Sequence, residues 1–171
     1  MGQTQTPPAA PVAPAAADLK AILDLYRQGL CLRAYRRAEA LGPLRCWSGA
    51  AARVLAGRLA INLGAPRLAF RMHLRGWRED RGDAEACYYH ARALLERRGP
   101  LTAWRFLRKQ GDLPDAPADV RSDWLAFHAA VLGRLRDFDA AEGWLARAEE
   151  ACPGRPWTCL ERAFLLEQED R

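Results

Sequence analysis

The sequence predicts an all-α fold built from about four stacked helical hairpins followed by one C-terminal helix. Ala, Leu and Arg, all good helix formers, are abundant along the 171 residues. No stretch shows the alternation of apolar and polar residues that is typical of a strand. Glycine or proline interrupts the helical pattern of apolar residues at regular intervals, which favours short helices joined by turns.

Residues 1–16 are rich in Pro, Ala, Gln and Thr and carry no charged side chain, so we expect a disordered tail there. Asp18 is a residue type that caps helix N-termini, and helices separated by breakers follow it. Residues 112–118 contain two prolines and are predicted to form a loop. The predicted helices cover residues 18–28, 30–41, 47–62, 66–78, 83–98, 100–110, 119–132, 138–151 and 156–169.

The breakers recur with a fixed period, because Gly29, Gly64 and Gly99 are each 35 residues apart. An alanine follows four or five residues after each glycine, where a small side chain lets two helices approach closely. The alanines at this position are Ala34, Ala69 and Ala103, with Ala141 in the corresponding place of a fourth unit. A period of about 35 residues with two helices per unit is typical of stacked helical hairpins.

On these residues the chain resembles the tetratricopeptide repeat (TPR) family, over about residues 18–171. The fourth unit matches the family pattern best, through Trp124, Leu125, Ala129, Leu132, Phe138, Ala141, Ala148 and Pro153. The resemblance implies a right-handed α-solenoid. Its predicted units cover about residues 17–44, 45–82, 83–116 and 117–154, with a half unit at 155–171.

The last half unit has two explanations. A lone final helix often covers the end of such an array, and residues 155–171 could serve that purpose. Alternatively, the chain is the N-terminal repeat region of a larger bacterial protein, in which this helix begins a fifth repeat. We favour the second explanation because Phe164 and Leu165 continue the apolar surface.

The resemblance also implies a function, namely a non-enzymatic scaffold that binds a protein or peptide segment. In this family the first helix of each unit lines a concave groove along which peptides lie. The inner-face positions here are Tyr26, Arg27, Arg58, Ile61, Asn62, Tyr89, Glu96, Arg97, Arg134, Trp157 and Glu167. Guanidinium groups bind carboxylates in a two-pronged manner, so we expect a partner with acidic character.

Charge is unevenly distributed along the chain, whose formal net charge is +5. Residues 1–110 carry 19 Lys/Arg and 8 Asp/Glu, a net +11, whereas residues 111–171 carry 7 and 13, a net −6. A high arginine content on solvated helix faces explains this pattern, and so does a basic face for an acidic partner.

Four arginines form a separate stripe on the predicted fourth helix. Arg67, Arg71, Arg75 and Arg78 are spaced by four, four and three residues, which places them on one side of a helix. The stripe could be a solvated surface or the binding face for an acidic protein. On the convex side of the predicted stack, it also defines the alternative function, a helical repeat that associates with nucleic acid, although we expect nucleic acid less than a protein partner.

We find no pattern of catalytic or metal-binding residues in the sequence. The three histidines, at 73, 90 and 128, and the five cysteines lack the spacing of metal ligands. The histidines lie among apolar residues, and we expect them to be packed in the core or groove. We also expect reduced thiols, no cofactor and no small-molecule substrate. A further alternative is the non-catalytic front end of a larger enzyme.

Trp124 and Trp157, 33 residues apart, are predicted to pack between helices at equivalent positions. No apolar run reaches the ~20 residues that a membrane-spanning helix needs, and no secretory signal precedes the helices. These observations predict a cytoplasmic protein that does not associate with membranes.

Overall fold

The computed structural model describes residues 10–170, which form nine α-helices, one 3₁₀ turn and no strand. The helices are α1 (Ala16–Arg27), α2 (Cys31–Leu41), α3 (Ala50–Asn62), α4 (Pro66–Glu79), α5 (Ala84–Arg98), α6 (Pro100–Gln110), α7 (Ala118–Arg134), α8 (Phe138–Ala151) and α9 (Pro156–Gln168). The 3₁₀ turn, Leu44–Cys46, lies between α2 and α3. The prediction of an all-α protein is therefore confirmed.

The chain divides into two compact units. The N-terminal unit, Met1–Asp80, contains α1 to α4, and the C-terminal unit, Arg81–Arg171, contains α5 to α9. Each unit is organised around one central helix. In the N-terminal unit α3 packs against α1, α2 and α4, and in the C-terminal unit α7 packs against α5, α6, α8 and α9.

Small residues allow the paired helices to approach closely. The four alanines predicted to fill this role, Ala34, Ala69, Ala103 and Ala141, are all completely buried. The central helices are also the most buried ones, because they have neighbours on several sides. For example, Trp124, Leu125 and Val131 of α7 are almost inaccessible to solvent.

The predicted glycines lie in bends between paired helices, but they are not all alike. Gly29 and Gly64 have φ angles of +76° and +77°, and each ends its helix with the same backbone hydrogen bonds. Gly99, with φ of +82°, is the single residue that joins α5 to α6. Between α7 and α8, Arg136 has φ of +63° and makes the hydrogen bonds that glycine makes in the first two hairpins.

The predicted tail at residues 1–16 needs correction where the structure describes it. The amide of Val12 donates to the carbonyl of Cys46 at 2.8 Å, and the amide of Ser48 donates to the carbonyl of Val12 at 2.8 Å. The Val12 side chain also packs against the core of the N-terminal unit. Residues 10–15 are therefore held against the unit, because Val12 contributes both backbone partners and apolar surface. Residues 1–9 lie outside the described part.

Two helix starts also differ from the prediction. The third helix begins at Ala50 and not at Trp47, because Trp47 is extended and its carbonyl accepts a hydrogen bond from Arg53 Nε at 3.0 Å. Asp18 is not the N-cap of α1. It lies inside the first turn and faces Arg37, with 3.6 Å between the charged groups.

Candidate functional site

The C-terminal unit has a cleft on the side where α5, α7 and α9 lie together. The cleft has a volume of about 240 Å³. It is lined by Arg92, Leu95, Glu96, Phe127, Ala130, Arg134, Trp157, Glu161, Phe164 and Gln168. All ten residues come from the first, third and fifth helices of the unit. We refer to it as the α5–α7–α9 cleft.

Arg92 lines the cleft and is half-buried. Its guanidinium Nη1 donates a hydrogen bond of 3.4 Å to the hydroxyl of Tyr88. The guanidinium carbon lies 5.0 Å from the ring centre of Trp157 and 5.7 Å from that of Tyr88. Burial raises the pKa of the Tyr88 hydroxyl above its ordinary value, so the group stays neutral. Two aromatic faces thus hold one cation in a partly desolvated position.

A second hollow of about 360 Å³ adjoins the cleft and shares Arg92 and Trp157 with it. On its far side, Arg155 donates two hydrogen bonds of 2.9 Å to the carboxylate of Asp123. These hydrogen bonds raise the pKa of Arg155 above its ordinary value. The Asp123 carboxylate binds the Arg155 guanidinium through both of its oxygen atoms. This bidentate ion pair connects the N-terminus of α9 to α7.

Positive and negative side chains balance each other inside the cleft. Burial raises the pKa of the Glu161 carboxyl, and the nearby Arg92 and Arg134 oppose that rise. Arg134 Nη2 lies 3.8 Å from the carboxylate of Glu96, and about half of each of these two side chains is exposed. Such a loose, solvated pair contributes little stability. Arg134 is therefore the cleft cation that a ligand could most easily engage.

Three of the predicted groove residues meet in the N-terminal unit. The Asn62 side-chain amide donates to the Tyr26 hydroxyl at 2.8 Å, and the Arg58 guanidinium carbon lies 4.6 Å from the Tyr26 ring centre. They form a small polar cluster between α1 and α3. Arg27 is exposed at the end of α1, and Ile61 is exposed on α3.

In the C-terminal unit the structure brings together four of the six predicted groove residues. Glu96, Arg134 and Trp157 line the cleft, and Tyr89 and Trp157 line the adjoining hollow. Arg97 and Glu167 are exposed and line neither.

Arg92 and Glu161 also line the cleft, although neither was among the residues predicted from the sequence. Arg92 could have been found, because it lies three residues after Tyr89 and four before Glu96, on the same side of the helix. Glu161 lies on α9 four residues after Trp157, which is again one helical turn away. Both residues thus follow from the helical spacing of residues that were already assigned to the inner face.

The two tryptophans predicted to be equivalent differ. Trp124 is completely buried, and its indole N–H donates to the carbonyl of Gly111 at 2.8 Å. Trp157 is half-buried and lines the cleft.

The four arginines of the predicted stripe are all exposed on α4. Two of them, Arg71 and Arg75, line a hollow of about 340 Å³ in the N-terminal unit together with Arg45 of the 3₁₀ turn. Arg53 lies in the same hollow, but it forms an ion pair with Glu79 at 2.9 Å.

His73, His90 and His128 are all buried, as predicted. Within residues 10–170, no cluster of three or more His, Cys, Asp or Glu side chains could hold a metal ion. No helix in the same part of the chain combines the length and the apolar character that crossing a membrane requires.

Comparisons with protein-family models, with curated proteins and with solved structures gave no significant match.

Proposed function

We propose that the chain is a TPR-like helical repeat protein that binds a protein or peptide segment without catalysing a reaction. In this proposal the binding groove of the C-terminal unit is the α5–α7–α9 cleft, extended by the adjoining hollow. The fold would be a right-handed stack in which odd-numbered helices face the groove.

The helix contacts inside each unit support the repeat architecture. In the N-terminal unit α1 contacts α2 and α3, and α2 contacts α3. In the C-terminal unit α5 and α6 both contact α7, and α7 and α8 both contact α9. Within each unit, a pair of helices thus packs on the helix that follows it, which is the arrangement expected for stacked hairpins.

The composition of the cleft is the observation that carries the proposal. Only α5, α7 and α9 line it, so its walls are three neighbouring rigid elements. Phe164 is 44% exposed, which leaves an apolar anchor beside the accessible cation Arg134. Protein interfaces combine such an aromatic anchor with arginine. Because the walls are formed by packed helices, binding would not require the protein to order a loop.

We expect the partner segment to carry an apolar side chain close to a carboxylate. The apolar side chain would contact Phe164 and Trp157, and the carboxylate would bind Arg134. This refines the expectation of an acidic partner, because Glu96 and Glu161 would repel a segment with many negative charges.

A random peptide phage library selected on the full-length protein tests the proposal. Fluorescence anisotropy of the recovered peptides should show that Phe164→Ala and Arg134→Ala each weaken binding about tenfold or more, because both remove central contacts. Leu101→Ala is the matched control, since Leu101 is 49% exposed on α6 and does not line the cleft. The control should change the affinity less than about twofold.

The proposal is overturned if no peptide is recovered. It is also overturned if the recovered peptides bind the two cleft variants as tightly as they bind the unchanged protein. Equal weakening by Leu101→Ala would place the binding surface outside the cleft and would contradict the proposal as well.

A further inference from the structure

Five arginines form one basic surface on the N-terminal unit, which we call the arginine face. It consists of Arg67, Arg71, Arg75 and Arg78 on α4 and Arg45 on the 3₁₀ turn. On α4 the four residues succeed one another at intervals of about 6, 6 and 4.5 Å along the helix axis. The row is therefore about 16 Å long and points to one side of the helix.

The cations of the arginine face have no partner in the part of the chain that the structure describes. Throughout residues 10–170, none of the five forms a hydrogen bond, an ion pair or a contact with an aromatic ring. Arg53 lies in the same hollow but differs from these five, because it forms an ion pair with Glu79 and also donates to a backbone carbonyl. The arginine face is thus available for an external anion.

Arg45 adds a guanidinium group that lies beside the row of arginines on α4. It lines the hollow that contains Arg71 and Arg75, and it also lines a second hollow beside Arg71. An anion placed between α4 and the 3₁₀ turn would be approached by guanidinium groups from two sides. Guanidinium forks match the oxygen atoms of phosphate groups.

The charge of the whole unit strengthens this surface. Residues 1–80 contain 12 Lys/Arg and 5 Asp/Glu, a formal net charge of +7, whereas residues 81–171 contain 14 and 16, a net −2. The attraction for a polyanion is therefore concentrated in the N-terminal unit.

The exposed composition of α4 favours nucleic acid over an acidic protein. Between residues 67 and 78 every exposed side chain is an arginine. A protein interface needs an apolar core that excludes water, whereas the apolar side chains that α4 contributes to the two hollows, Leu68 and Met72, are half-buried and buried. Binding to a nucleic-acid backbone can rest on phosphate contacts alone.

We propose that the arginine face binds the phosphate backbone of nucleic acid without reading the base sequence. This site is separate from the cleft of the proposed function and does not depend on it. Phosphates would contact Arg71 and Arg75 centrally, with Arg45 beside them and Arg67 and Arg78 at the two ends of the row.

Salt dependence of binding by the full-length protein tests this proposal. The probes are fluorescein-labelled duplex DNA of two unrelated sequences, single-stranded RNA of the same length, and labelled poly-glutamate. If all five arginines contact phosphates, the logarithm of the duplex affinity should fall with the logarithm of the salt concentration with a slope of about −4.5. This slope corresponds to a loss of roughly 500-fold between about 50 and about 200 mM salt.

Two variants and a control identify the surface. Arg71→Gln with Arg75→Gln should weaken duplex binding at least about tenfold and change the slope to about −2.7. Arg45→Gln, which lies outside the helix, should change the slope to about −3.6. The matched control is Arg33→Gln with Arg36→Gln, which removes the same charge from exposed, unpaired positions on α2. Far-UV circular dichroism checks that each variant is folded.

Equal affinity for the two duplex sequences, loss of binding in the arginine-face variants and little change in the control would support the proposal. Failure to bind both duplex and RNA would overturn it. An unchanged slope in the Arg71/Arg75 variant would also overturn it, as would an equal loss in the control, which would indicate attraction to the unit's net charge alone. Equally tight binding of poly-glutamate would assign the surface to an acidic protein and reject the proposal.

Discussion

His128 shows how strongly its surroundings determine the chemistry of one side chain. The imidazole is stacked on Trp144, with ring centres 4.0 Å apart, and forms a T-shaped pair with Trp124, with ring centres 5.5 Å apart. Burial lowers the pKa of His128 to about 4, while Asp112 raises it and Arg147 lowers it further. The ring is therefore neutral and serves as an apolar packing residue near pH 7.

This environment predicts an acid-sensitive C-terminal unit. The folded pKa of about 4 lies below the ordinary value of 6.5. The stability from neutral His128 is thus complete above about pH 6.5 and is lost as the pH falls towards 4, because the unfolded chain binds the proton first. Between about pH 7.5 and about pH 5 the loss should be about 2 kcal/mol.

Urea unfolding of the unchanged protein and of His128→Phe at both pH values measures this effect. The phenylalanine variant should lose about 2 kcal/mol less stability on acidification, since it has no group to protonate. Between about pH 7.5 and about pH 8.5 the two proteins should show no difference in pH dependence. Equal acid sensitivity in both proteins would contradict the assigned role of His128.

Two glycines within helices, Gly57 and Gly143, differ in how much space surrounds them. Gly57 of α3 faces the ring of His73 on α4, and a methyl group added at Gly57 would overlap that ring. Gly143 of α8 has no atom within 4 Å of the corresponding position. The first glycine permits close packing of two helices, whereas the second only weakens its helix.

The same substitution should therefore have opposite effects at the two sites. Gly57→Ala is expected to destabilise the protein by about 1–3 kcal/mol, because the ring or the helices must shift. Gly143→Ala is expected to stabilise it by about 0.5–1 kcal/mol through helix propensity. Thermal unfolding followed by circular dichroism measures both changes. A stabilising Gly57→Ala would show that α3 and α4 are not closely packed at this point.

Several helix boundaries were predictable because they depend on local chemistry, whereas the starts of α1 and α3 were predicted wrongly. Pro66, Pro100 and Pro156 each stand at the first position of a helix, as proline requires. The turn after α7 was less recognisable, because Arg136 adopts the left-handed conformation that glycine adopts at Gly29. A residue type alone does not reveal that surrounding contacts stabilise an unfavourable φ angle.

At the scale of the whole molecule, the chain consists of two compact units. Each unit has its own buried core, one around Ile22, Leu59 and Met72 and the other around Leu125 and Leu145. The division between them follows Asp80, close to residue 82, where the second repeat was predicted to end. The continuation of one stack through both units stays a prediction.

Separate expression of residues 1–80 and 81–171 tests the independence of these cores. Each fragment should give a helical circular dichroism spectrum and a cooperative thermal transition, because its central helix keeps the neighbours that it contacts inside the unit. A fragment of residues 81–117 is the control, since it lacks α7, the helix against which both α5 and α6 pack in the unit. A cooperative transition in the control fragment would contradict this division. The lack of a cooperative transition in the fragments 1–80 and 81–171 would contradict it as well.

By itself, the sequence determined the all-α class, the approximate helices, the buried alanines and the glycine bends, because periodicity and backbone preferences act over a few residues. The tertiary structure alone decided that Val12 packs beside Trp47, that Arg92 lies between Tyr88 and Trp157, and that Arg45 joins the arginines of α4. These arrangements bring together residues from different elements. They depend on packing between helices and turns, which the spacing of residues within one helix does not specify.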